Sequence, residues 1–188
     1  AGKETLSHNY SNRSMKICAE AGVYSIEHGN YLDGPTAKIL KKHGCWLVPT
    51  MATYEIMARR GEEFGLPAYF HRKMKEVQKF SEQALEIAVK EGLKIGSGSD
   101  MVGSGQPFKA LELEIKARVM GPMGAILCTT KNNAELMKMA DKIGTVEAGK
   151  YADLIVIGGD PLKDIKIFQD RDKIMAIVQG GKFIRKAL

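Results

Sequence analysis

Two histidines and one aspartate each follow a short apolar segment, and a helical pattern follows each of them. His8 lies at the end of the first such segment, His28 at the end of residues 23–28, and Asp100 after an apolar segment and a Gly-Ser turn. Strand, polar residue and helix in this order are typical of βα units, whose parallel strands bring their carboxyl ends to one edge. We therefore expect the two imidazoles and the carboxylate to face one crevice.

Imidazole and carboxylate together form a ligand set for Zn²⁺ or a similar divalent ion. His8, His28 and Asp100 are therefore candidate metal ligands. Each also has a structural alternative: a single histidine at a strand end is often solvated, and Asp100 could cap a helix or close a turn.

The pattern contains three clear βα units preceded by the end of an earlier strand at residues 5–8. Residues 51–66 look less regular, like a loop with a helical piece, and Pro67 begins a long amphipathic helix. A closed parallel barrel needs eight strands and typically ~250 residues. The sequence therefore predicts an α/β fold that is either an open sheet or the second half of a barrel.

The character of the chain changes after residue 142. Residues 153–157, 174–178 and 182–184 read as strands separated by turn signals. We accordingly divide the chain into residues 1–142, with the βα units, and residues 143–188, with β-strands only.

Composition excludes several classes of protein. The 188 residues carry a net charge of +6, but the basic residues do not cluster, which disfavours nucleic-acid binding. We expect no membrane association, because no apolar run approaches the ~20 residues that span a bilayer. The first residues lack the apolar stretch of a signal peptide, so we expect a cytoplasmic protein. The three cysteines are far apart and are expected to be buried, reduced thiols.

Three segments together resemble the amidohydrolase superfamily, and its imidazolonepropionase-like and Xaa-Pro dipeptidase-like branch most closely. They are Ser-Ile-Glu-His-Gly at 25–29, Gly-Ser-Gly-Ser-Asp at 96–100 and the long motif at 143–156. Residues 121–132 resemble that family's helix between the last barrel strand and the tail. The similarity runs from His8 to Gly181.

The resemblance implies a (β/α)8 barrel and a small β-sandwich built from both chain ends. It also implies a metal site with an HxH pair after the first strand, a bridging Lys or Glu after the fourth, histidines after the fifth and sixth, and an aspartate after the eighth. His8, His28 and Asp100 match the last three positions. The implied cofactor is Zn²⁺ or another divalent metal, with one or two ions in the complete enzyme, and Asp100 is the implied general base and acid.

What this sequence lacks is the rest of that site. It contains no HxH motif, and no strand-end lysine precedes His8. The chain therefore resembles the C-terminal half of an amidohydrolase, in which residues 1–142 supply strands five to eight of the barrel and residues 143–188 supply strands of the composite sandwich. We expect such a fragment to be inactive, or nearly so, by itself.

The function predicted in this way is metal-dependent hydrolysis of C–N bonds in amides or peptides, with a small-molecule or dipeptide-like substrate. The alternative is a non-catalytic α/β module that keeps the fold. A nucleotide- or phosphate-binding protein is disfavoured, since residues 96–105 lack the phosphate-loop pattern.

Half a barrel would leave its first and last strands with unpaired edges, which recruit partners. It would also expose apolar side chains meant for the barrel interior, such as those of Ile26, Leu47 and Val48. We therefore expect a homo-oligomer, with two halves forming a pseudo-barrel, or pairing with the missing N-terminal half.

Overall fold

The computed structural model describes residues 2–187, which form two β-sheets and the helices around them. The strands are β1 (Leu6–Asn9), β2 (Ser25–His28), β3 (Trp46–Val48), β4 (Lys94–Ile95), β5 (Leu154–Ile157), β6 (Ile174–Gln179) and β7 (Lys182–Lys186). The α-helices are α1 (Asn12–Glu20), α2 (Gly34–Lys42), α3 (Met51–Arg60), α4 (Ala68–Glu91), α5 (Leu111–Leu127) and α6 (Asn133–Leu136).

The first sheet is parallel and has the strand order β1-β2-β3-β4. Asn9 lies opposite His28, Glu27 opposite Val48, and Leu47 opposite Ile95. This sequential order and register bring the carboxyl ends of all four strands to one edge. The prediction of a mixed α/β protein is confirmed.

The second sheet is antiparallel, with the order β5-β6-β7. It shares no strand with the parallel sheet, and the segment between Leu136 and Leu154 joins the two parts. The division into residues 1–142 and 143–188 stays a prediction.

Local signals explain where several helices begin and end. The Asp33 carboxylate caps α2 by accepting the Thr36 N–H at 2.8 Å, and Pro35 lies in the first turn, where its missing N–H costs nothing. Gly92 ends α4 with a φ of 68°, a conformation that glycine adopts without strain.

Helix α3 differs from the sequence prediction of a less regular segment over residues 51–66. The chain instead runs as a continuous α-helix from Met51 to Arg60 and then a 3₁₀ turn to Phe64. Most of α3 is buried, so it has no single apolar stripe opposed by a polar face, and the usual periodicity signal is weak.

The expectation of exposed barrel-facing side chains was wrong for the three residues named. Ile26 and Leu47 are fully buried, and Val48 is 6% exposed. Ile26 and Leu47 belong to the main core, together with residues of α1 and α2 such as Met15 and Leu40. The helices thus cover Ile26 and Leu47 without any partner.

The described residues include no helix long and apolar enough to cross a membrane. Cytoplasmic location stays a prediction. Cys45 and Cys128 are buried free thiols, as expected, whereas the free thiol of Cys18 is only partly buried.

Replacing the core residue Leu85 with alanine should destabilise the chain by about 2–5 kcal/mol, because loss of this fully buried side chain leaves a cavity in the main core. Urea unfolding measures this change. Val89→Ala on the same helix is the matched control, since Val89 is 40% exposed and should cost far less. Equal losses in the two variants would contradict this packing.

Candidate metal and catalytic site

Two histidines meet at the carboxyl edge of the parallel sheet. His8 lies on β1 and His28 ends β2, and His28 Nε2 is 2.7 Å from His8 Nδ1. His28 is buried, whereas His8 is exposed. From the sequence we expected these two imidazoles to face one crevice, and the distance between them agrees with this expectation.

The second nitrogen of His28 is held by the next strand. Thr50 lies two residues beyond β3, and its Oγ1 is 2.6 Å from His28 Nδ1. With Nδ1 engaged by this hydroxyl, Nε2 is the nitrogen that faces the crevice. Such an outer partner fixes the orientation of a ligating imidazole.

Two tyrosines pack around the histidine pair. The Tyr10 ring stacks on His28, with centroids 5.3 Å apart and an interplanar angle of 10°. The Tyr10 and Tyr54 hydroxyls lie 2.9 Å apart and form a hydrogen bond. Together they wall one side of the crevice with aromatic surface and two phenol groups.

Asp100 follows β4 on an exposed turn. The Asn133 side chain holds this turn by accepting the Ser97 N–H at 2.8 Å and donating to Ser97 O at 2.9 Å. Helix α6 packs closely here, because a Cβ on Gly96 would lie 2.9 Å from Leu136 Cδ2. The turn that carries Asp100 is thus anchored from behind.

His28 and Asp100 share an unusual backbone conformation. Their φ values are 70° and 50°, and within residues 2–187 Lys138 is the only other non-glycine residue with positive φ. Such conformations cost about 1–3 kcal/mol and concentrate at functional sites. The strain falls on two of the three residues that the sequence selected.

Burial dominates the electrostatics of this edge. It lowers the pKa of His28, and nearby His8 lowers it further, while Asp100 acts in the opposite direction. Burial also raises the pKa of Glu27, which Asp100 raises further and a hydrogen bond from Ser25 opposes. The lowered pKa favours the neutral imidazole of His28, which is the form that binds metals.

The donor set fits a divalent metal only in part. The two imidazole nitrogens converge, but they are 2.7 Å apart, whereas two nitrogens on a tetrahedral zinc ion are about 3.3 Å apart. The side chains would have to separate slightly around an ion. Within residues 2–187, no three His, Cys, Asp or Glu side chains lie close enough together to form a ready metal cage. The assignment of His8, His28 and Asp100 as ligands stays a prediction.

A cavity of about 430 Å³ opens beside the Asp100 turn, between that turn and α3. This volume falls within the usual range for small-molecule sites. Its apolar lining includes Ile56, Met57, Phe64, Met101 and Val102.

Sequence reasoning did not select Tyr10 and Thr50. Tyr10 lies two residues after His8, so the alternation of a strand places both on one side. Thr50 follows the end of β3, and the strand-end rule that selected His28 and Asp100 also applies to it. These two rules could therefore have selected both residues from the sequence.

The phenol of Tyr54 should make stability depend on alkaline pH. Burial raises its pKa above the ordinary value, and the hydrogen bond with Tyr10 adds to this. Below pH ~10 the phenol is protonated in both folded and unfolded chains; above it only the unfolded chain ionises, so stability falls by at most about 1.4 kcal/mol per pH unit. Urea unfolding at pH 9 and 10.5 should show a steeper loss in the wild type than in Tyr54→Phe. Parallel losses would show that the phenol is not shielded.

The sequence matches the family model described as the amidohydrolase family over residues 4–184. It is 28% identical to ochratoxinase from Aspergillus niger over 180 residues, which is 95% of this chain and 37% of that protein. It is 31% identical to imidazolonepropionase from Thermoplasma volcanium over 75 residues, 40% of this chain and 19% of that protein.

Solved structures agree with these matches. A prolidase complexed with N-methylphosphonate-L-proline superposes with a TM-score of 0.91 at 35% identity, covering 96% of this chain and 45% of that one. An Xaa-Pro dipeptidase with bound methionine gives a TM-score of 0.86 at 28% identity, covering 98% and 45%. The chain thus spans less than half the length of these relatives. With a family match over nearly all its residues and the same fold as these enzymes, the chain belongs to the amidohydrolase family.

Proposed function

We propose that this chain carries part of the active site of a metal-dependent hydrolase that cleaves C–N bonds of amides or peptides. The observation that supports this most directly is the convergence of His8 Nδ1 and His28 Nε2 at the carboxyl edge of the sheet. Asp100 lies near enough to influence the pKa of His28. This is the chemistry that the family requires at that edge.

In this proposal His8 and His28 hold a divalent ion through neutral imidazole nitrogens. A bound ion of this kind supplies a water of lowered pKa and polarises the scissile carbonyl. Asp100 accepts the proton of the attacking water and then delivers it to the leaving amine. Its exposed position on the anchored turn gives the carboxylate access to both groups.

The substrate that we propose is a dipeptide or a similar small amide. Among the solved relatives, the Xaa-Pro dipeptidase acts on dipeptides by name, and the prolidase is complexed with N-methylphosphonate-L-proline. The cavity beside the Asp100 turn has a suitable volume. Its apolar lining would receive an uncharged side chain or ring.

We further propose that the four-stranded sheet corresponds to strands five to eight of a (β/α)8 barrel. The sequential parallel order and the 45% coverage of the prolidase are consistent with this. Two imidazoles and one carboxylate are fewer ligands than a two-metal site needs. Catalysis would then require the further ligands that an HxH pair and a bridging residue supply in the family.

The metal site can be tested by titrating the purified chain with Zn²⁺ or Co²⁺ in a calorimeter. We expect one weakly bound ion, with binding at least about 10-fold weaker in His28→Asn and Asp100→Asn. His43→Asn is the matched control, since His43 lies at the C-terminal end of α2. This variant should bind metal as the wild type does.

In the same preparations, we expect the rate of Xaa-Pro dipeptide hydrolysis to lie below the detection limit. If its gene encodes residues upstream of this chain, the chain extended by them should be active, and Asp100→Asn should abolish that activity. Robust turnover by the 188-residue chain, lost on chelation, would contradict the proposed incompleteness. Absence of metal binding and activity in both forms would favour the non-catalytic α/β module.

The proposed half-barrel also implies that the chain associates with a partner. We propose that the open edges of β1 and β4 and the apolar surface of the antiparallel sheet are covered by a second copy or by the missing half. Several apolar side chains of that sheet are exposed: Leu154, Ile155, Val156, Phe183 and Ile184. Exposed apolar residues concentrated on one small sheet often mark an interaction site.

We therefore expect sedimentation velocity at micromolar concentration to show self-association. Charged substitutions on the exposed sheet, such as Ile155→Lys with Phe183→Lys, should shift the distribution toward the monomer. A wild-type chain that stays monomeric and binds no hydrophobic dye would overturn this prediction.

A further inference from the structure

A buried ion pair on α5 lies behind the candidate site. Glu112 and Lys116 are one helical turn apart, and Lys116 Nζ is 2.5 Å from Glu112 Oε1. Glu112 is 3% exposed and Lys116 is fully buried. A pair of charges in the interior is weak evidence for stability by itself, because desolvation offsets the attraction.

The remaining contacts of this pair go to Pro49 and Ala52, on either side of the point where α3 begins. Lys116 Nζ donates to Pro49 O at 3.0 Å, and the Ala52 N–H donates to Glu112 Oε2 at 2.7 Å. Thr50 lies between these two anchor points. Its Oγ1 is the atom that holds His28 Nδ1.

The contact to Ala52 explains why the Thr50 hydroxyl is available. Thr50 is the N-cap of α3, where a threonine hydroxyl normally accepts an N–H from the second or third helical residue. Here Thr50 makes no such bond, and Ala52, the second residue of α3, donates to the Glu112 carboxylate instead. Glu112 thus takes over the capping role.

We propose that Glu112 and Lys116 are positioning residues for His28, which they orient through Thr50. Glu112 caps α3 in place of the threonine, Lys116 fixes the preceding carbonyl, and the freed hydroxyl holds the imidazole with Nε2 toward the crevice. The inference rests on the proposed role of His28 in the site. It is tested without metal or substrate, so its failure is distinguishable from failure of the proposed function.

The test uses the ring ¹⁵N spectrum of His28 in the full chain at one pH. The chain has only four histidines, so the ring signals can be assigned with His28→Asn as the reference. Thr50→Val removes the hydroxyl and defines the spectrum of an unheld ring, whereas Thr50→Ser keeps the hydroxyl and should resemble the wild type.

We expect Lys116→Met to move the His28 signals most of the way toward those of Thr50→Val. Two controls separate positioning from general destabilisation. Arg118→Met removes ion pairs from the same helix to Glu55 of α3 without touching the β3–α3 turn. Leu85→Ala weakens the core. Both should leave the His28 signals unchanged.

Lys116→Met leaves the Glu112 charge buried without its cationic partner, which could prevent folding. The double variant Glu112→Gln with Lys116→Met buries no charge and still removes the donor to Pro49 O, and it should show the same displacement. Wild-type His28 signals in the folded double variant would overturn the proposal. So would unchanged signals in Thr50→Val, or an equal displacement in Leu85→Ala.

Discussion

Parallel pairing of β1, β2 and β3 in register is the constraint on which the candidate site depends. Because Asn9 pairs with His28 and Glu27 with Val48, the residues that follow each strand emerge at one edge and at similar height. His8 and His28, which are far apart in sequence, meet there because β1 and β2 pair. A shift of one residue in a strand would turn its side chains to the opposite face.

Helices α5 and α6 hold the turns that carry the candidate site residues in position. Helix α6 holds the Asp100 turn through Asn133, and α5 reaches the β3–α3 turn through Glu112 and Lys116. The contacts of Glu112 and Lys116 are buried, and in the interior a hydrogen bond is electrostatically stronger and an unmade one more costly. The strained backbone at His28 and Asp100 is consistent with such support, since a strained conformation persists only where its surroundings enforce it.

The two sheets differ in how completely the chain covers their apolar residues. The main core is complete within residues 2–187 as far as the helix-facing side of the strands is concerned, as the burial of Ile26 and Leu47 shows. The antiparallel sheet, in contrast, leaves apolar residues of β5 and β7 exposed. The helix-facing side of the parallel sheet is thus covered, whereas the antiparallel sheet exposes apolar side chains. This agrees with relatives that are more than twice as long.

The sequence by itself determined the local elements and the chemical type of the site. Alternation of apolar segments, polar strand ends and helical periodicity placed β1, β2, the start of α4 and the β-rich tail close to their observed positions, and the three family motifs identified the amidohydrolase family. These signals are readable because each depends on residues that are neighbours in the chain.

Only the tertiary structure decided what depends on burial and on distant contacts. Helix α3 lacks an amphipathic pattern because it is buried on most sides, so its regularity was not visible in the sequence. Glu112 and Lys116 have the spacing of an ordinary surface pair, and nothing in the sequence marks them as interior. The exchange of capping partners that frees Thr50 for His28 exists only once α5 packs against the β3–α3 turn, because hydrogen-bond partners in the interior are assigned by packing and not by sequence neighbours.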